Sequence, residues 1–126
     1  MPKPYLRKAM HPSIYYNNEP ILTLSNSLLS IFHGTIMEII EKENIWFSYR
    51  LQFMLSLLDQ QVYGPGGSCA DIEEYLKTKK EMLLFAYLVK ETIKEKKEIF
   101  SQFGTSLQHL EEFHDKLVNY AENLPE

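Results

Sequence analysis

Eight consecutive apolar residues, Met82 to Val89 (MLLFAYLV), stand between Glu81 and the lysine- and glutamate-rich stretch KETIKEKKEIF. A surface element tolerates no such run, so whatever it forms must be covered on most sides. The strong helix formers on both flanks favour a helix over a buried strand. At eight residues the run is far short of the roughly 20 needed to cross a bilayer. The rest of the chain must therefore supply apolar faces to cover it. Leu28, Leu29, Phe32, Ile36, Ile39 and Ile40 recur at spacings of three and four, which predicts a helix with Ser25 or Asn26 as its N-cap. Gly34 inside it costs helix stability and reads as a close helix crossing. Asn44 is a candidate cap for a second helix to about Gln61. Only Ser48, Gln52 and Ser56 form a polar stripe on it, so it is expected to be buried on most sides.

Tyr63 to Ser68, with its glycines and proline, stops that helix. A third is expected from Ser68, with Asp71 in a box-like capping arrangement, and with an interruption near Lys77–Lys80. It carries Ile72, Leu76, the apolar run, Ile93, Phe100 and Phe103 up to Gly104, a good terminator. The last helix opens with Thr105 and Gln108 as a capping box. Leu107, Leu110, His114, Leu117, Ala121 and Leu124 line one face, and Pro125 ends it. Residues 1–20 hold four prolines and no sustained periodicity, which reads as an irregular Pro- and Tyr-containing N-terminal arm. At 126 residues the chain is one domain, and the expected fold is all-α, a four- to five-helix bundle.

Charge narrows the partners. The net charge of −4 is uneven: residues 105–126 carry Glu111, Glu112, Asp115, Glu122 and Glu126 against Lys116. Such a segment disfavours nucleic acid and suits a basic protein partner, although a solvated helix face is the commoner role of such a run. Lysines in KTKK and KEKKE sit beside or among glutamates and make no net basic field. The single cysteine leaves no internal disulfide and fits a reducing compartment. With no apolar segment at the N-terminus to act as a signal, a cytoplasmic protein without membrane contact is expected.

Motifs for chemistry are sparse. The glycines of YGPGGSC lack the lysine and the strand of a phosphate-binding loop, and Asp71, Glu73 and Glu74 would repel an anion. Cys69, in the first turn of the expected third helix, could be acidified by the helix dipole and act as a nucleophile. That leaves a cysteine-dependent enzyme as the alternative function, against a partly buried structural thiol. Glu111 and His114 match one half of a di-iron bundle site, but the second pair is missing, so no metal or other cofactor is expected.

Aromatic placement is the remaining signal. All seven phenylalanines fall in expected helices, whereas Tyr5, Tyr15, Tyr16 and Tyr63 lie in the arm or central loop. Phenylalanine belongs to cores; tyrosine is enriched at protein interfaces. The competing reading is that these rings fold back over the bundle. HPSIYYNNEP, residues 11–20, resembles the His-Pro…Ile-Tyr-Tyr-Pro segment of the colicin nuclease immunity proteins, small acidic helical bundles of bacteria. The likeness rests on His11, Pro12, Ile14, Tyr15 and Tyr16. It implies that the paired tyrosines touch a toxin nuclease while acidic residues complement its basic surface. The chain is thus expected to be a non-enzymatic immunity protein that occludes a basic cognate toxin. Tyr5, His11, Tyr15, Tyr16, Tyr63, Glu111, Glu112 and Asp115 are its candidate partner-binding residues. Self-association through excess apolar surface is a further alternative.

Overall fold

The computed structural model describes residues 12–45, 48–59 and 69–126. Tyr5, His11, Tyr63 and the expected cap Ser68 lie outside them. Among the described residues the chain forms four α-helices and a three-stranded mixed sheet. The fold is therefore α+β, and the expectation of an all-α bundle with an irregular arm is overturned.

The described part of that arm is a β-hairpin. Strands β1 (Ser13–Tyr16) and β2 (Glu19–Thr23) pair antiparallel. Asn17 and Asn18 make the turn with φ of 51° and 68°. Two consecutive left-handed residues match the twist of the flanking strands, and asparagine adopts that conformation more readily than most residues. The prolines masked this. Pro20 sits on β2, at the edge of the sheet, where a missing N–H breaks no ladder. A register shift between Ile14 and Tyr15 also breaks the apolar alternation.

Strand β3 (Cys69–Asp71) adds parallel to the other side of β1, giving the order β2-β1-β3. Ile14 stands opposite Leu22 on one side and Ala70 on the other. All three are at most 5% exposed, so they form one apolar row against the core. A 3-10 turn (Ile72–Glu74) follows. The backbone N–H of Asn17 in the hairpin turn donates to Glu73 Oε1 at 3.1 Å.

Helix α1 (Asn26–Glu43) starts as expected, with Ser25 Oγ accepting from the Leu28 N–H. Asn44, at φ 53°, closes α1 instead of opening the next helix. Among the described residues Gly34 makes no close crossing: beyond its own stretch of helix backbone, a Cβ there would meet no atom within 4 Å. Helix α2 (Tyr49–Leu57) is capped by Ser48. It buries Leu51, Met54 and Leu55, yet Tyr49 is 89% and Phe53 53% exposed. Tyr49, Arg50, Gln52, Phe53 and Ser56 are all exposed, so the expectation of burial on most sides is not met.

Helix α3 (Lys79–Ser101) contains the apolar run and starts with a full capping box between Thr78 and Glu81. Met82, Phe85, Ala86, Leu88 and Val89 are buried, while Leu83 and Tyr87 face outward. Lys96, at φ −117° and ψ 23°, kinks the helix before Phe100 returns to the core. The expected start at Ser68 is corrected: Asp71 ends a strand, and α3 begins at Lys79.

Gly104, at φ 59°, turns the chain into α4 (Ser106–Ala121). Thr105 makes no cap bond; its hydroxyl lies 3.3 Å from His109 Nε2. Leu110, Phe113, Leu117 and Ala121 are buried, and Phe113 meets Phe85 of α3 edge-on at 6.0 Å. The tail then returns to α3, where the Lys79 N–H donates to the Pro125 carbonyl at 2.7 Å. No helix among the described residues is long and apolar enough to cross a membrane.

Candidate functional site

The two described tyrosines of the arm separate. They are neighbours on β1, and adjacent residues of a strand point to opposite faces of the sheet. Tyr16 stacks on Tyr120 of α4, with ring centroids 3.8 Å apart and planes 8° from parallel. Burial, with Tyr16 alongside, pushes the Tyr120 hydroxyl pKa up. Tyr16 is therefore a fixed part of the contact between hairpin and helix, and Tyr15 lies on the other side of the sheet.

The acidic residues of α4 also divide. Glu111 and Asp115 line a groove between α3 and α4, opposite Lys90, Lys94 and Lys97. Glu112 lines a separate groove along β2 with His109 and Lys116, and accepts from Gln108 Nε2 at 3.3 Å. The three carboxylates thus form no single acidic surface. His114 shares the α3/α4 groove and lies 3.2 Å from Asp115. Among the described residues no cluster of three or more His, Cys, Asp or Glu side chains is arranged to hold a metal ion.

Cys69 opens β3, its backbone paired with Ser13. The helix N-terminus expected to acidify its thiol is not there. The described histidines have settings of their own: His109 against Thr105, His114 against Asp115, and His33 near the Leu55 carbonyl and Asp59. Burial lowers the His33 pKa, opposed by Asp59 and that carbonyl.

An acidic cleft lies where charge counting over the tail did not point. Glu38, Glu41 and Lys42 of α1 face Glu95 of α3 across an open cleft. Lys42 Nζ is 3.8 Å from Glu95, an exposed pair of little strength. Three carboxylates against one lysine leave the cleft negative. Further along the same helix pair, the Tyr87 hydroxyl donates to Glu43 Oε1 at 2.7 Å. That bond, then burial, then the charges of Glu43 and Glu91 push the Tyr87 pKa up to about 12. At 39% exposed, Tyr87 sets an aromatic ring at the end of an acidic strip. The signal was present in the sequence as Glu38/Glu41 and Glu91/Glu95 at helical spacing, but only the antiparallel crossing of α1 and α3 joins the two sets.

A second polar centre is structural. The Glu81 carboxylate accepts from Arg50 Nε at 3.2 Å and Nη2 at 2.9 Å, from Ser48 Oγ, and from the N–H groups of Lys77 and Thr78. It ties the start of α2 to the start of α3. The space ringed by Pro12, Ile14, Leu22, Leu24, Leu29 and Leu58 has no room for a water molecule. Comparison with protein-family models, with curated proteins and with solved structures finds no match to this chain.

Proposed function

We propose that this chain is a non-enzymatic inhibitor that binds a basic protein, as an immunity protein binds its cognate toxin nuclease. The observation that carries the reading is the acidic α1/α3 cleft of Glu38, Glu41 and Glu95, with Tyr87 beside it. An aromatic ring supplies contact area at low entropic cost, and surrounding carboxylates accelerate encounter with a basic surface. Occlusion of the partner's active site then requires no chemistry from the inhibitor. The IYY resemblance supports the same class of partner. Relative to the tail acids first singled out, the cleft moves the centre of the interface to α1 and α3.

The test uses a panel of purified basic nuclease toxin domains as the probes. A 1:1 complex is expected, with an association rate that falls at least about tenfold on raising salt. The triple variant E38K/E41K/E95K should weaken binding about a hundredfold and abolish protection in cells. Unchanged affinity of that variant, or absence of any complex with the wild type, overturns the proposal.

A further inference from the structure

The outer surfaces of α3 and α4 carry two exposed stripes, side by side along the groove between them. On α3, Leu83, Lys90, Lys94 and Lys97 follow one another at spacings of seven, four and three. On α4, Glu111, Asp115 and the half-buried Val118, with Glu122 just past the helix end, follow at four, three and four. Both are heptad spacings, the pattern that keeps one row of a helix facing a neighbouring helix. Leu83 is 42% exposed, and the three lysines, Glu111, Asp115 and Glu122 are exposed as well. Among the described residues no ion pair within 4 Å joins the lysine wall to the acidic wall within the chain. Lys94 pairs with Glu91 on its own helix, and Asp115 with His114.

We infer that a second copy of this chain docks on this face, about a two-fold axis running along the α3/α4 groove. The axis follows from charge. Rotation about a line along the groove lays α3 of each copy, antiparallel, on α4 of the other. Lys90, Lys94 and Lys97 then meet Glu111 and Asp115 twice over. Because α4 runs opposite to α3, the apolar end of the α3 stripe, Leu83, comes level with Val118 and the end of α4. The other in-plane axis, across the helices, sets lysine on lysine and acid on acid, and like charges reject it. The result is a four-helix antiparallel arrangement of the kind that heptad stripes make. Glu38, Glu41 and Glu95 lie on the opposite flank of α3 and stay open to a basic partner.

The interface is short and largely polar, so the dimer is expected to be weak and salt-sensitive. Sedimentation velocity over a concentration range at low salt should show a monomer–dimer equilibrium whose dissociation constant rises at least about tenfold in high salt. K94E/K97E alone and E111K/D115K alone should each weaken it by about tenfold or more, and the two sets combined should restore it. All four side chains are exposed, so the variants should keep the wild-type circular dichroism. Carbodiimide cross-linking of mixed isotope-labelled and unlabelled wild-type protein should join a lysine of 90, 94 or 97 in one copy to Glu111 or Asp115 of the other. A strict monomer at millimolar concentration, a dimer indifferent to either reversal, failure of the combined variant to recover, or cross-links confined to single chains each overturns the inference. None of these measurements involves a toxin, so their outcome is independent of the proposed function.

Discussion

Glu81 shows how one residue can join two helices and answer to pH. Burial by itself pushes its carboxyl pKa up. Hydrogen bonds from Arg50, Ser48, Lys77 and Thr78 outweigh burial and hold it at about 2, below the ordinary 4.5. A pKa lowered on folding adds stability that is complete above the unfolded value and is lost as pH falls towards the folded one. Wild-type stability is therefore expected to decline between about pH 5 and pH 2, and E81Q should remove that part of the decline while costing about 1–3 kcal/mol at pH 7. Urea unfolding of both proteins across that range checks it. Two glycines make a complementary case. Gly34 is helical, and a Cβ there meets nothing, so G34A should stabilise by about 1 kcal/mol. Gly104 stands at φ 59°, where G104A should cost about 1 kcal/mol. The urea midpoints should move in opposite directions.

Among the elements, the hairpin and α4 depend on one another. Tyr16 and Tyr120 stack at 3.8 Å, joining a strand near the N-terminus to the last helix. A double-mutant cycle with Y16A and Y120A is expected to give a coupling of about 0.5–1.5 kcal/mol. Near-zero coupling would mean that the stack contributes only buried area. Helix periodicity in α1, α3 and α4 was legible because 16 to 23 residues repeat the pattern many times. Strands of three to five residues offer too few alternations to read. One bulge and one proline were enough to hide the hairpin, although Asn17-Asn18 was a turn signal in plain view. Helix α2 failed differently. Its composition suits a buried helix, but Tyr49 stays 89% exposed, and Phe53, although its ring stacks on Tyr75 at 5.7 Å, stays 53% exposed.

For the whole molecule, the sheet closes the fold by pairing residues 13–15 with 69–71. Ile14, Leu22 and Leu24, each at most 5% exposed, belong to the core shared with the helices. Burial of each contributes about 1.5–3 kcal/mol, and their sum is comparable with the total stability of a small domain. A chain beginning at Ser25 should therefore lose its cooperative thermal transition; a sharp melt near the wild-type temperature would show that the helices fold alone. Charge behaves likewise. The net −4 describes no surface of the molecule, because each helix flank carries its own balance. The acidic cleft and the α3/α4 groove lie on opposite sides of α3.

The sequence alone determined the long helices, most of their buried rows, and an N-cap of α1 at Ser25 or Asn26, and it carries no recognisable catalytic or metal motif. These are properties of near neighbours along the chain, where periodicity and side-chain chemistry are read directly. Tertiary structure alone decided that the described part of the arm is a hairpin, that Cys69 opens a strand, and that Tyr15 and Tyr16 part company. It also decided that Glu38 and Glu41 share a cleft with Glu95. Each of those depends on which distant segment lies alongside, and strand pairing and helix crossing are settled by burial of the whole core at once.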